Sequence, residues 1–232
     1  MKKIRLNLRP VKPLSAADEE VFGKLEARQR LLAAAEELFA ERGFASVSVR
    51  ELAERAKVNI AAVNYYFGGK ENLYLETVRH SFRNTRRALP KLEALLVEAQ
   101  AIGTKEAASK AIELYINEIM HIIFISRETT YHAALMGHEM SNPTQALDVV
   151  VEEFISPVFK VLLSLVEQCR PDLAAAKEAN LAAMSIIGQC LNYSLALPLT
   201  LKLLKRPQLT SPLIKKLANQ IADFSLQALS KA

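Results

Sequence analysis

Apolar positions recur along this chain every three or four residues and almost never alternate, the pattern of helices rather than strands. From about Glu26, the side chains Leu31, Ala35, Leu38 and Phe39 fall on one stripe of a helix. Gly43 is placed to end it as a left-handed cap. "SVREL" opens a second helix, because Ser48 followed three residues later by Glu51 satisfies orphan N–H groups at both sites as a capping box. Leu52, Ala53 and Ala56 give that helix a narrow apolar face. "KVN" interrupts it, and Asn59 suits the N-cap of a third helix over about 60–66. Two short helices about a tight turn, packed under a longer first one, form a helix-turn-helix, in which Val63 and Phe67 point inward onto Leu38 and Leu52.

From Glu71 the helical pattern continues to about Leu89, where Pro90 predicts a stop or a kink. Longer helical segments are expected at about 91–101, 104–125, 127–140, 144–169, 173–204 and 210–230, with bends or breaks at Pro157 and Pro198. The expected fold is all-α: an N-terminal three-helix helix-turn-helix DNA-binding domain joined to a larger helical ligand-binding and dimerisation domain. Its parts are a basic flexible arm over 1–24, the DNA-binding domain over 25–89 with the helix-turn-helix at about 49–68, and the helical domain over 90–232.

Charge sharpens this picture. Residues 1–89 carry 17 Lys+Arg against 11 Asp+Glu, and residues 90–232 carry 13 against 14. The whole positive excess lies in the first part, as expected of a polyanion-binding module joined to a neutral body; a solvated basic face is the bland alternative. Cys169 and Cys190 form no CxxC and have no clustered histidines around them, so neither a disulfide framework nor a metal site is expected, and a reducing cytoplasm is the simplest compartment. The basic start "MKKIRLNLRPVKPL" is interrupted before it reaches signal-peptide length, and no apolar run is long enough to span a bilayer.

The stretch "VNIAAVNYYFGGKENLY" carries the candidate chemistry. In a helix-turn-helix the second helix enters the major groove while flanking groups grip phosphates. Ala62 is small enough to approach a thymine methyl, and Asn64 has the bidentate geometry that pairs with adenine. Tyr65 and Tyr66 offer hydroxyls to phosphate, although aromatics at a helix end commonly pack instead. Lys70 begins the next helix, where a cation and free backbone N–H groups together hold a phosphate. Ser48 and Arg50 open the preceding helix, and with Asn59 they complete the DNA-facing set.

These residues also carry a resemblance. "LFAERGFASVSVRELAERAKVNIAAVNYYFGGKENLY" is similar to the N-terminal domain of TetR-type transcriptional regulators, through Gly43-Phe44, Ser48-Val49-Arg50 and Tyr65-Tyr66-Phe67 with Lys70. Two departures are visible: Lys57 stands where the family usually has Gly in the turn, and Ala61-Ala62 stands where Gly-Thr is frequent. "ALMGHEMSNPTQALDVVVEEFISPVF" and "IIGQCLNYSLALP" resemble the C-terminal domain of the CecR-type branch, which is linked to drug-sensitivity and efflux genes.

The resemblance implies a homodimer on an inverted-repeat operator in double-stranded DNA, most simply a repressor released by a small apolar or amphipathic effector. It also implies pairing of the last long helices, where Ala182, Ala183 and Gly188 permit close packing. Candidate effector contacts are Met120, Phe124, Tyr131, His132, Met136, Glu139, Met184 and Tyr193, soft or amphipathic side chains that serve equally well as plain core. His132 and Glu139, seven apart on one helical face, are placed to orient a polar ligand group, although a lone polar pair beside a core is usually structural.

No cofactor, metal or membrane partner is expected. Catalysis has no support, since "HEMS" lacks the second histidine of a zinc site and no phosphate loop or nucleophile elbow occurs. The remaining alternatives are a ligand-independent architectural nucleic-acid-binding protein and a cysteine-based redox regulator.

Overall fold

The computed structural model describes residues 16–124 and 129–230, with side chains from Glu26 on apart from those of 129 and 130. The helices are α1 (Ala16–Arg42), α2 (Val49–Ala56), α3 (Ala61–Phe67), α4 (Lys70–Ser81), α5 (Arg83–Ile102), α6 (Lys105–Phe124) and α7 (Thr129–Ser141). They are followed by α8 (Gln145–Val150), a π-helical stretch (Val151–Ile155), α9 (Ser156–Cys169), α10 (Pro171–Ala175), α11 (Ala179–Leu195), α12 (Leu197–Leu204) and α13 (Ser211–Ser230). No strand occurs among the described residues, and none of their helices is alone long and apolar enough to cross a membrane. Residues 1–15 of the expected arm lie outside the described residues; from Ala16 the chain is already helical.

Two boundaries differ from expectation, and each has a physical cause. Pro90 lies inside α5 without breaking it. A proline removes only the bond to the carbonyl four residues back, and Pro90 and Arg86 are both exposed, so water can satisfy that carbonyl. The break falls instead at Phe82, whose ring is buried against Phe154, with centroids 5.2 Å apart, and against His132 at 4.1 Å. The expected helix over 173–204 is divided in two places. Lys177 takes a left-handed conformation (φ 59°) that closes α10, a division the sequence pattern does not show, whereas α11 and α12 meet at Ala196 with an 82° bend just before Pro198, the bend that proline predicts.

Pro157, where a bend or break is expected, lies at the start of α9 and does not interrupt the helical run. It follows the π-helical stretch, where Ser156 N–H bonds to the Val151 carbonyl. A widened turn of this kind absorbs a proline without ending the helix.

Two apolar cores result. The second is built by α5, α6, α9, α11 and α13 around Ile112, Tyr115, Ile116, Leu162, Leu165 and Ile221. The first joins Leu31, Leu38, Phe39, Leu52, Val63, Phe67 and Leu73 to Leu135, Ala146, Val150 and Phe154. Helices from far along the chain therefore complete the core of the helix-turn-helix. Each fully buried Leu or Phe contributes about 1.5–3 kcal/mol to holding them together.

Polar contacts reinforce the same junction. Glu139 is 1% exposed. Its carboxylate accepts from the Tyr74 hydroxyl (2.5 Å) on α4 and from the N–H (2.9 Å) and hydroxyl (3.0 Å) of Thr144, which caps α8. Arg79 on α4 forks onto Glu153 at 3.0 and 2.8 Å. The ring of His138 on α7 passes over Gly43 and donates from Nε2 to the Ala40 carbonyl at 3.1 Å.

Candidate nucleic-acid interface and effector cavity

Local chemistry sets the helix-turn-helix. The Ser48 hydroxyl accepts from Glu51 N–H at 3.2 Å, and the Glu51 carboxylate accepts from Ser48 N–H at 2.8 Å, which completes the capping box. Those bonds from Ser48, with Arg42 nearby, hold the Glu51 carboxyl down to about 2. The turn after α2 is a left-handed cap made by a lysine. Lys57 (φ 53°) donates to the carbonyls of Ala53 and Glu54, and Val58 N–H reaches Ala53 at 3.0 Å. A lysine here thus holds the left-handed conformation for which glycine is favoured. Asn59 accepts from Ala61 N–H at 2.8 Å, and Ile60 is already helical (φ −55°, ψ −33°), so Asn59 caps α3 as expected.

α3 then presents two faces. Val63 and Phe67 are buried in the first core, and Arg28 lies over the Phe67 ring at 5.0 Å. Ala61, Asn64 and Tyr65 are exposed, Tyr65 by 70%, while Ala62 and Tyr66 are half-buried. The two tyrosine rings meet edge to face at 4.9 Å. Gly68 (φ 75°) ends α3 and Gly69 (φ 136°, ψ 175°) starts α4, two backbone states that side chains resist. α4 has no side-chain cap at its start, so its first N–H groups are open. Lys70 stands there with its ammonium 4.3 Å above the Phe44 ring.

Arg50 is exposed and paired with Glu54 at 2.8 Å, and Ser48 is engaged with Glu51 through both its hydroxyl and its N–H. Ser48 is therefore occupied in positioning α2, whereas Asn64 and the two tyrosine hydroxyls have no hydrogen-bond partner among the described residues.

The other end of α4 borders a cavity of about 470 Å³. Its wall is made by Phe82 and Thr85 of α5's start, Tyr115, Ile119, Ile122 and Ile123 of α6, His132 of α7, Ile155 to Leu163 around α9, and Met184, Ile187 and Leu191 of α11. Of the eight side chains expected to meet an effector, His132 and Met184 line this space. The other six lie elsewhere. Met120 is fully buried core, Phe124 and Tyr193 pack against the second core, Met136 packs against the first, and Tyr131 is exposed.

Glu139 is the clearest correction. Its shared helical face with His132 does not bring it to the cavity, because Tyr74 and Thr144 consume its carboxylate in the inter-helix junction. The isoleucines of α6 and Phe159 are part of the wall, yet their residue types are those of any core. Only the gap between α6, α9 and α11 distinguishes them.

Cys169 and Cys190 are both buried and free, and burial pushes the Cys190 thiol up to about 12. Among the described residues, no three His, Cys, Asp or Glu side chains are placed to hold a metal ion.

Comparison with known proteins agrees with both halves of this architecture. Residues 31–77 match the model of bacterial regulatory proteins of the tetR family, and residues 108–229 match the C-terminal domain of the HTH-type transcriptional dual regulator CecR. The chain is 29% identical to the dual regulator CecR of Shigella flexneri, over 73% of this chain and 76% of that protein. It is 30% identical to the transcriptional regulator BetI of Agrobacterium fabrum, over 72% and 77%. Among solved structures the fold is similar to the hemolysin II regulator HlyIIR (TM-score 0.56, 22% identity, 86% of this chain and 99% of that one). It is also similar to FadR of Bacillus subtilis in complex with stearoyl-CoA (TM-score 0.53, 16% identity, 85% and 96%).

Proposed function

The chain belongs to the TetR family of bacterial regulators, with a C-terminal domain of the CecR type, and from that premise we propose that it is a ligand-released repressor acting as a homodimer. As a family member it is a DNA-binding transcription regulator. The finer reading is carried by one observation: α4 begins beside the exposed face of α3 and is closed at its other end by Phe82, which lines the cavity. A ligand that favours a conformer in which α3 is misplaced lowers operator affinity by its differential affinity for the two states, typically about 1–3 kcal/mol.

In this reading Asn64 reads an adenine edge, Ala62 meets a thymine methyl, and Tyr65, Tyr66 and Arg50 reach phosphates. Lys70 and the open N-terminus of α4 clasp a further phosphate. Ser48 and Asn59 serve by fixing the starts of α2 and α3. The two copies pair through α11 and α12, where Leu181, Met184, Leu195, Leu199 and Leu203 are exposed and no charge occurs between Glu178 and Lys202. A neutral apolar face suits self-pairing, because a two-fold axis sets each patch against itself. The apolar cavity and the likeness to CecR support drug-sensitivity or efflux genes as the targets.

Selection of bound duplexes from a random pool, at one stated salt concentration, tests the reading. An enriched inverted repeat with half-sites about one helical turn apart is expected. Retention without enrichment would favour the architectural binder and overturn the repressor.

A further inference from the structure

We infer that the cavity selects its effector by a hydrogen-bond donor: a hydroxyl or N–H on an otherwise apolar molecule is read by Nε2 of His132, an assignment that rests on this cavity being the effector site.

The sense of that hydrogen bond follows from the ring's own contacts. His132 Nδ1 lies 3.3 Å from the Ser81 carbonyl. A carbonyl only accepts, so Nδ1 carries the proton. Burial holds the imidazole below its usual pKa and keeps it neutral. Nε2 is then a lone-pair acceptor with no partner among the described residues. A tilted contact with the Phe82 ring, 4.1 Å between centroids and 55° between planes, holds the imidazole in place.

The other polar groups of the wall discriminate little. The Thr85 and Ser156 hydroxyls rotate to donate or accept as required. The Tyr115 phenol already donates to the Val158 carbonyl at 3.1 Å. Lys160 is exposed, and its ammonium is solvated at the rim. Lys160 can only donate but does so at the solvated rim, and the Tyr115 oxygen, its proton committed, is left as an acceptor like Nε2, so the fixed polar positions inside an otherwise nearly hydrocarbon wall are acceptors. A ligand presenting an acceptor there sets lone pair against lone pair; a ligand with a donor satisfies both sides.

The test uses two aromatic probes, 1-naphthol, which donates, and 1-methoxynaphthalene, which only accepts, titrated into the full chain by naphthyl fluorescence. Their affinity ratio is measured in the wild type and in His132→Phe, so that differences in probe size and hydrophobicity cancel between the two proteins. The wild type is expected to favour the naphthol about tenfold more than the variant does. His132→Leu, smaller and equally without an acceptor, should give the same ratio as His132→Phe and guards against a ring that fails to seat. A ratio unchanged by both substitutions, in proteins that keep their helical circular dichroism, overturns the inference and leaves the cavity reading standing. If neither probe binds the wild type, the effector-cavity reading itself fails, and the inference with it.

Discussion

Lys57 holds a left-handed backbone at φ 53° where a side chain is disfavoured by about 1–2 kcal/mol. Lys57→Gly should therefore raise the unfolding free energy by about 1 kcal/mol, part of the relief being offset by the freer unfolded chain. Urea denaturation with an unchanged slope would report it; a loss of stability would mean that the side chain itself supports the turn. Tyr74 tests the opposite case. Its hydroxyl is held well above the usual phenol range by burial first and by the Glu139 hydrogen bond second. Tyr74→Phe removes one donor from a buried carboxylate and should cost about 2 kcal/mol. On DNA, Asn64→Ala should relax the preference at one base pair, whereas Lys70→Ala should weaken all duplexes alike and flatten the salt dependence. Equal losses on operator and random DNA for Asn64→Ala would refute its role as a base reader.

α4 is the element on which both ends of the molecule converge, and its entry depends on Gly69. At φ 136° that residue lies in a region essentially restricted to glycine, so Gly69→Ala should cost about 2 kcal/mol and displace the start of α4. Operator affinity should fall by more than global unfolding accounts for; an affinity loss matching the stability loss would show that the entry geometry has no separate effect. This end of α4 is legible in the sequence because its signals are local: the capping box of Ser48 and Glu51, the Asn59 cap and the paired glycines each act within a few residues. The other end is not legible. Phe82 breaks the helix because Phe154 and His132 meet its ring, and contacts so distant in sequence leave no periodic trace. Pro90 misleads for the related reason that exposure, which decides whether a proline is tolerated, is a tertiary property. Glu139 likewise shares a helical face with His132, yet its partner Tyr74 lies on another helix, and the two side chains end in different environments.

At the scale of the whole molecule, the acid limb of stability has a defined sign. Glu51 is held from an ordinary 4.5 to about 2, Asp172 from 3.8 to about 2 by Arg170, and Glu153 is lowered by Arg79. For these groups the unfolded chain binds more protons than the folded one below about pH 4.5, so their stabilisation is complete above that pH and lost as pH falls toward 2. Thermal midpoints measured across that interval should decline steadily; a flat profile would mean that these pairs persist in the unfolded chain. Pairing of two copies should fail in Leu195→Glu, which places like charges on a self-matched face, and sedimentation should then report a monomer with weakened operator binding. A dimer unaffected by that change would move the interface off α11. The first core has a consequence of another kind. Because Leu135, Ala146, Val150 and Phe154 complete the core that holds α1 and α4, the helix-turn-helix half is not an interchangeable cassette. A chimera that grafts it onto a foreign sensor must carry α7, α8 and the π-helical stretch along, or rebuild their apolar surface, before the grafted half can fold.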